Sequence, residues 1–240
     1  MILFVSDLHL CAERPAITGL FLRFLHERAT RAEALYILGD LFEAWLGDDC
    51  VLPEHEDVLD ALAATVTAGT PVYVMPGNRD FLLGDAFAQR SGCRLLGDAA
   101  VIDLYGTPTL LLHGDTLCTD DLPYQQMRKQ LRDPRWITQF LGKAPEERLA
   151  FARELRAVSE EATGGKAAEV MDVNQEAVRD SLRAHKTQHM IHGHTHRPSH
   201  HTVDLDGKRA ERWVLGDWYA AGSVLVCEAQ GCRLERFGLD

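Results

Sequence analysis

The sequence predicts an α/β protein with a single domain, residues 1–240, and a helical insertion at about 117–186. Two observations support this prediction. Apolar runs with strand character alternate with amphipathic helical patterns along the first 75 residues, an order typical of a parallel sheet with right-handed crossovers. The stretch 117–186 then carries almost no strand pattern, and several helices fit it. A length of 240 residues suits one α/β domain that carries such an insertion.

The N-terminal elements follow from hydrophobic spacing and from turn residues. After the first strand, apolar residues recur at the helical positions i, i+3, i+4, i+7 and i+8, namely at Ile17, Leu20, Phe21, Phe24 and Leu25. A later glycine, Gly69, is placed to cap a second helix. The expected elements are strand 2–6, helix 15–31, strand 34–38, helix 55–68, strand 71–75, a helix near 80–90, and a hairpin of 101–105 with 109–112 around Gly106.

The remaining elements are predicted by the same criteria. One apolar stripe at helical spacing comprises Phe151, Leu155, Val158 and Ala162. The helices expected in the insertion lie near 121–132, 134–142, 146–163 and 174–185. The chain then returns to strands, which are 189–192 and two hairpins, 200–205 with 209–215 and 223–228 with 232–237.

Composition narrows the possible function classes. A formal net charge of −11 argues against general nucleic-acid binding. The six cysteines are scattered and form no C-x-x-C pair, which favours reduced thiols over a disulfide framework. The start of the sequence has no charged n-region, and no apolar run approaches the roughly 18 residues that a membrane span requires. We therefore expect neither a signal peptide nor a membrane-spanning helix.

The insertion differs in charge from the rest of the chain. Between residues 128 and 156, eight Lys and Arg are set against four acids. Solvated helix faces account for such a run, and so does a basic lid that faces an anionic ligand or an anionic membrane surface. A compact apolar group, Trp136, Ile137, Phe140 and Leu141, lies beside it. We expect this group in the core of the lid, and membrane contact is the alternative.

Five apolar runs end in polar side chains that can bind metal. In open α/β folds, chemistry takes place just beyond the carboxyl ends of such strands. The candidate ligands at these ends are Asp7, His9, Asp40, Asn78, His113, His194 and His196. Oxygen and nitrogen donors suit Mn²⁺, Fe²⁺ or Zn²⁺. Seven donors are more than one tetrahedral ion can bind. They would suit two ions about 3.5–4 Å apart that share a bridging carboxylate. For any one of these histidines taken alone, the alternative is a hydrogen-bonded histidine of the core or of a loop, with no metal.

The motifs at these strand ends resemble those of the calcineurin-like metallophosphoesterase superfamily. They are D-x-H (7–9), G-D (39–40), G-N-R-D (77–80), H-G-D (113–115) and G-H-T-H (193–196), in this order. The resemblance implies a two-sheet β-sandwich flanked by helices. It also implies that one ion is held by Asp7, His9, Asp40 and His196, and the other by Asp40, Asn78, His113 and His194, with Asp40 as the bridge.

Arg79 departs from the superfamily pattern. Most members carry histidine after the asparagine, where it can donate a proton to the leaving oxygen. Arginine does not give up its proton at working pH, although it can stabilise charge on phosphoryl oxygens. A phosphate that leaves from a phosphoanhydride needs no proton. Arg79 therefore favours a pyrophosphatase over a phosphomonoesterase.

Longer segments carry a closer resemblance, and they lie at 8–11, 34–49, 77–84, 113–121, 171–175 and 191–198. Together with the insertion, they resemble the lipid-sugar diphosphatases of lipid A biosynthesis. This resemblance implies cleavage of UDP-2,3-diacylglucosamine to UMP and 2,3-diacylglucosamine 1-phosphate, with two Mn²⁺ ions and water attack at the uridine-side phosphorus. The expected location is the cytoplasmic face of the inner membrane, bound peripherally. Catalysis is assigned to Arg79 and Asp40. The substrate contacts that carry over are Asn78, Arg79, Asp121, Ser159, Thr163, Lys166 and His194.

Spacing gives limited support for the last group of contacts. Ser159, Thr163 and Lys166 are four and three residues apart, and they share one face if the helix continues through Gly164 and Gly165. A solvated helix end is the alternative. Other functions that we consider are a dinucleoside polyphosphate hydrolase, a phosphoprotein phosphatase and a non-catalytic scaffold of the same fold. The long insertion and Arg79 argue against the first two, and the complete ligand set argues against the third.

Overall fold

The computed structural model describes residues 1–164 and 172–238, and the side chains of 158–164 are left aside. Eleven strands are present in this part of the chain: β1 (Ile2–Val5), β2 (Ala34–Leu38), β3 (Val72–Met75), β4 (Arg94–Leu95), β5 (Ala99–Leu104), β6 (Thr107–Leu112), β7 (His189–His192), β8 (Ser199–Leu205), β9 (Lys208–Val214), β10 (Gly222–Glu228) and β11 (Gly231–Phe237). The helices are α1 (Pro15–Glu27), α2 (Glu56–Thr67), α3 (Asp85–Ser91), α4 (Leu122–Leu131), α5 (Pro134–Leu141), α6 (Pro145–Gly164) and α7 (Gln175–His185).

These strands form two sheets. The first has the order β11-β10-β1-β2-β3-β4, and its strands β1 to β4 run parallel to one another. The second has the order β5-β6-β7-β9-β8, in which β6, β7 and β9 are parallel. The parallel strands β1, β2, β3, β6 and β7 correspond to the short apolar runs of the sequence, because strands covered on both faces need apolar residues on both.

Three apolar clusters fill the layers of the molecule. Phe21 and Trp218 belong to a cluster between the first sheet and helices α1 to α3. Tyr36 of the first sheet and Ile191 of the second belong to a cluster between the two sheets. Val178 of α7 belongs to a third cluster, on the outer face of the second sheet. The layers confirm the predicted two-sheet sandwich flanked by helices.

Helices α4 to α7 occupy the predicted insertion between β6 and β7. Their boundaries agree with the expected ones within two residues, because each of three helices begins at a side chain that caps it. Asp121, Asp133 and Asn174 accept a hydrogen bond from the first turns of α4, α5 and α7. The spacing of caps and apolar residues therefore suffices to locate these helices. Their role as a lid stays a prediction.

The helix expected near 80–90 starts only at Asp85. The carboxylate of Asp48 accepts three N–H groups at the start of α3, at 2.8 to 3.1 Å, and so caps the helix from a distant loop. No local pattern reveals a cap that lies 36 residues away in sequence. Strand β4 has two residues, which is too short to produce a periodic pattern.

The expectation of reduced cysteines is wrong for one pair. Cys227 and Cys232 are joined by a disulfide and lie directly opposite each other in the β10–β11 hairpin. The hairpin register brings the pair together, and a separation of five residues does not resemble the usual C-x-x-C spacing. The other four cysteines are not part of a disulfide. Within the described residues, no helix has the length and apolar character needed to cross a membrane.

Candidate metal centre

All seven predicted ligands follow the carboxyl ends of the parallel strands β1, β2, β3, β6 and β7. Five of them adopt a left-handed backbone conformation, which is uncommon for residues other than glycine. These are Asp7 (φ 54°), His9 (φ 49°), Asp40 (φ 53°), His194 (φ 68°) and His196 (φ 56°). Such conformations persist only where the surrounding structure holds them, and they concentrate at functional sites.

Glycines in the motifs allow the strand-end loops to approach one another. A Cβ atom on Gly77 would lie 2.2 Å from Oδ1 of Asp40. A Cβ atom on Gly193 would lie 2.2 Å from Oγ of Ser6 and 2.4 Å from Oδ2 of Asp7. Because no side chain fits in either gap, G-N-R-D and G-H-T-H need glycine as their first residue.

Asp7, His9 and His196 form the first group of metal-binding atoms. Oδ1 of Asp7 lies 3.3 Å from Nε2 of His196 and 4.0 Å from Nε2 of His9. The two Nε2 atoms are 3.4 Å apart. Oδ1 of Asp7 is buried and has no hydrogen-bond donor among the described residues. A buried carboxylate oxygen without a donor, faced by imidazole nitrogens, suits a cation.

Asp40, Asn78, His113 and His194 form the second group. Oδ1 of Asn78 lies 2.9 Å from Nε2 of His113 and 3.0 Å from Nδ1 of His194. Oδ2 of Asp40 is 3.7 Å from Nε2 of His113 and 3.7 Å from Nε2 of His9. Asp40 therefore lies between the two groups, where a bridging carboxylate would be. Asp7 also comes within ligand distance of Asp40 and His113, which the sequence did not indicate.

Three acceptors behind the histidine rings were not foreseen. Oε2 of Glu43 lies 3.3 Å from Nδ1 of His9. Oδ2 of Asp217 lies 3.4 Å from Nδ1 of His196. Nδ1 of His113 donates to the carbonyl of Leu38 at 2.8 Å. Each acceptor favours the tautomer that leaves Nε2 free to bind a metal. No spacing rule identifies these acceptors, because each meets its histidine only when separate strand ends pack together.

Asp80 joins the loops that carry Asp40 and Asn78. Its buried carboxylate accepts the N–H groups of Gly77 at 2.7 Å and Leu41 at 2.8 Å. Burial, followed by the negative charge of Asp40, raises the pKa of Asp80 to about 6. The last residue of G-N-R-D thus holds two strand ends together and is not itself a ligand.

The protonation of the centre reflects its carboxylates. Burial would lower the pKa of His113, but Asp40, Asp7 and Asp115 outweigh burial and raise it to about 9. Burial, followed by the charge of His113, lowers the pKa of His194 to about 4. Burial opposes ionisation of Asp7, but the close contact with His196 and the charge of that ring hold its pKa below the usual range. The carboxylates are anionic and attract positive charge, which metal ions would supply.

A turn behind the centre is braced from the second sheet. Nδ1 of His192 donates to the carbonyl of Gly193, and Nε2 accepts a hydrogen bond of 2.9 Å from Arg212. Burial, followed by the charge of Arg212, lowers the pKa of His192 to about 3, so the ring is neutral. The N–H group of His194 then donates to Oδ2 of Asp7 at 2.9 Å. This chain of contacts fixes the G-H-T-H turn against β1.

A pocket begins at Asn78 and Arg79 and extends between the strand-end loops and helices α4 to α6. It leaves about 760 Å³ of empty space, a volume that includes the open solvent at its mouth. Arg128 and Arg132 contribute positive charge to its wall. Its apolar lining includes Trp45, Phe81, Leu131, Trp136, Phe140 and Phe151. The site thus joins a polar centre to an apolar chamber.

The predicted substrate contacts fall into three sets. Asn78, Arg79 and His194 lie together at the centre, where the N–H group of Arg79 donates to Oδ1 of Asp40 at 2.8 Å. Asp121 is buried and caps α4. Ser159 and Thr163 lie on α6, where side chains are not described, and Lys166 lies outside the described residues.

Several known proteins are similar to this chain. The calcineurin-like phosphoesterase family profile matches residues 1–198. A UDP-2,3-diacylglucosamine hydrolase of Stenotrophomonas maltophilia is 52% identical over 240 residues, 97% of each chain. One of Pseudomonas aeruginosa is 50% identical over 240 residues, 99% of each chain. An archaeal phosphodiesterase structure superimposes with a TM-score of 0.47 at 13% identity, covering 98% of this chain and 99% of that one.

Proposed function

The chain belongs to the calcineurin-like phosphoesterase family, and we propose that it hydrolyses the phosphoanhydride bond of UDP-2,3-diacylglucosamine to UMP and 2,3-diacylglucosamine 1-phosphate. The observation that carries the proposal is the continuity between the polar centre and the apolar chamber. Asn78 and Arg79 line both. A diphosphate needs the first environment and acyl chains need the second. The relatives named for this activity align over nearly the whole chain, including the helices that form the chamber.

We assign two divalent ions, as Mn²⁺, to the centre. Asp7, His9, Asp40 and His196 would hold the first, and Asp40, Asn78, His113 and His194 the second. The donor set supports this assignment, because it contains only carboxylate, amide and imidazole groups and no thiolate. The ions, when bound, would polarise a phosphoryl group and lower the pKa of a bound water.

The chain itself contributes orientation and charge. Asn78 and His194 position the phosphoryl group that is attacked, which is the one on the uridine side. Arg79 stabilises negative charge on the phosphoryl oxygens without donating a proton. The sugar phosphate leaves as a stable anion, so no general acid is required. We assign further substrate contacts to Asp121, Ser159, Thr163 and Lys166.

Helices α4 to α6 are proposed to act as a lid that receives the acyl chains. Phe140 stacks on Trp136 at 4.9 Å and meets Phe151 at 5.4 Å, so the chamber has an aromatic wall. Leu122, at the start of α4, is 66% exposed. An exposed apolar side chain beside basic helices supports peripheral contact with the cytoplasmic face of the inner membrane, where a lipid-linked substrate resides.

Two measurements test this function. The purified protein with Mn²⁺ is assayed on UDP-2,3-diacylglucosamine, on a dinucleoside polyphosphate and on a phosphomonoester, and only the first should be cleaved efficiently. Faster cleavage of the dinucleoside polyphosphate would favour the alternative hydrolase. Hydrolysis in ¹⁸O-labelled water should put the label in UMP, and label in the lipid phosphate would place the attack at the other phosphorus.

A further inference from the structure

Glu43 lies between the metal centre and the lid. It follows β2 by five residues, and its N–H group donates to the carbonyl of Leu10 at 3.1 Å. This backbone contact ties the loop after Asp40 to the loop that carries His9. The side chain is 11% exposed, so the carboxylate is largely shielded from water. A shielded carboxylate interacts strongly with the charges that surround it.

One carboxylate oxygen faces the metal centre. Oε2 lies 3.3 Å from Nδ1 of His9 and 3.2 Å from Nη2 of Arg14. Arg14 also donates to the carbonyl of His9, so the ring and the backbone of His9 are both held by this pair. The guanidinium of Arg14 lies over the ring of Tyr219, which in turn stacks on His9. His9 is thus enclosed by groups that Glu43 organises.

The other oxygen faces two arginines, of which Arg79 lines the pocket. Oε1 lies 3.9 Å from Nη1 of Arg79 and 3.8 Å from Nε of Arg156. Arg79 comes from the loop after β3, and Arg156 comes from α6 in the lid. At these distances the carboxylate attracts both guanidinium groups without a close hydrogen bond to either. Its negative charge lies between the two guanidinium groups and limits their mutual repulsion.

We propose that Glu43 is a positioning residue for the hydrolysis, which couples Arg156 of the lid to Arg79 and His9 at the metal centre. This inference rests on the proposed function and names a residue that no sequence motif indicated. Without the carboxylate, the two guanidinium groups would repel each other where the diphosphate has to bind. With it, they are arranged before substrate arrives, so binding does not have to order them.

The first test compares Glu43→Gln with the wild type. Glutamine keeps the size of the side chain and one oxygen for His9, and it removes only the charge. We expect kcat/KM to fall roughly tenfold or more, which is within the range for residues in one charged network. The manganese content at saturating Mn²⁺ should remain two ions per chain. The dissociation constant for 2,3-diacylglucosamine 1-phosphate should rise, because its phosphate binds to the arginines that Glu43 positions.

The second test is a double-mutant cycle with Arg156→Gln. We expect Arg156→Gln to lower kcat/KM about tenfold in the wild type but less than about twofold in the Glu43→Gln background, since the coupling is then already lost. Equal factors in both backgrounds would overturn the proposal. Should Glu43→Gln fail to fold, as judged by circular dichroism, Glu43→Ala replaces it in the cycle. Alanine also removes the charge, so the same comparison of factors applies.

Controls separate this proposal from the function on which it rests. Glu154→Gln removes an exposed carboxylate from the same helix as Arg156 and should leave kcat/KM and the cycle unchanged. The cycle is measured with UDP-2,3-diacylglucosamine and again with bis(p-nitrophenyl) phosphate. If the wild type cleaves bis(p-nitrophenyl) phosphate but not UDP-2,3-diacylglucosamine, the proposed function is wrong, while the role of Glu43 can still be tested. Additive factors with both compounds contradict the role of Glu43.

Discussion

At the residue scale, the centre depends on Asp40. Its Oδ2 lies 3.7 Å from Nε2 of His9 and equally far from Nε2 of His113. Its Oδ1 accepts a hydrogen bond from the backbone N–H group of Arg79. A side chain that serves both groups of ligands cannot be replaced by another member of the set. Asp40 also has a left-handed backbone conformation. Its carboxylate fits in its place only because Gly77, which lies against it, has no side chain.

We predict that Asp40→Ala loses both metal ions and all measurable diphosphatase activity, because the two groups share this carboxylate. Metal content of the purified variant, measured by inductively coupled plasma mass spectrometry, checks the prediction. Asp57→Ala, which removes an exposed carboxylate from α2, should retain both ions. Two ions retained in Asp40→Ala would exclude a bridging role.

Arg79 is the second residue whose chemistry can be isolated. We predict that Arg79→His retains the metals and lowers kcat roughly a hundredfold, since losing a transition-state contact of this type costs about 3 kcal/mol. Steady-state kinetics with the lipid substrate measure the loss. Arg209→His, at a side chain that is 68% exposed, serves as the control. A rate near that of the wild type would show that Arg79 does not act on the phosphoryl group.

At the scale of elements, Arg148 joins helices α5 and α6, part of the proposed lid, to the core. This side chain of α6 is buried and donates to the carbonyls of Leu46 (3.0 Å) and Lys143 (2.9 Å). Its guanidinium also makes a two-pronged ion pair with Asp49, at 2.6 and 2.8 Å. One arginine therefore links α6, the end of α5 and the loop after β2. The lid is attached through a fork geometry that lysine cannot reproduce.

We predict that Arg148→Ala loosens the lid without unfolding the sheets. Breaking a buried charged pair costs about 3–5 kcal/mol, and we expect about 2 kcal/mol here because the carboxylate of Asp49 is 63% exposed. Amide hydrogen exchange should become faster in α5 and α6 and stay unchanged in β1 to β3. Arg153→Ala, an exposed position on the same helix, should leave exchange unaltered. Uniformly faster exchange would mean that Arg148 supports the whole fold.

At the scale of the whole molecule, His55 links stability to pH at a distance from the metal centre. Its ring is buried, lies tilted against Phe42 at 4.1 Å and stacks on Trp45 at 5.8 Å. Burial lowers the pKa of His55 to about 4. The unfolded chain, with a histidine pKa near 6.5, binds this proton more readily than the folded chain. Folding stability therefore falls as pH decreases from about 6.5 to about 4.

We predict that His55→Phe removes this contribution, on the order of 3 kcal/mol for a shift of this size. Urea unfolding of the metal-free protein at several pH values between 4 and 7 measures the slope. The variant should lose less stability on acidification than the wild type, while His26→Phe, at an exposed position on α1, should keep the wild-type slope. Identical slopes in wild type and His55→Phe would show that His55 titrates normally in the folded chain.

Much of the fold was predictable because the signals are local. Buried parallel strands are short apolar runs, and the helices of the insertion begin at capping residues, so both are visible in a window of a few residues. That the candidate ligands lie close together was also predictable, because parallel strands deliver the residues that follow them to one edge of a sheet. What a local pattern predicts, in each case, is the place of a residue along its own element.

Contacts between elements required the folded structure. Glu43 and Asp217 face the rings of His9 and His196 because separate loops converge, and no spacing in the chain encodes that convergence. The capping of α3 by Asp48 and the pairing of Cys227 with Cys232 depend on loop path and strand register in the same way. The charge state of His113 follows from carboxylates on three different loops. Sequence patterns record what each element buries, whereas distances between side chains arise only when the elements pack.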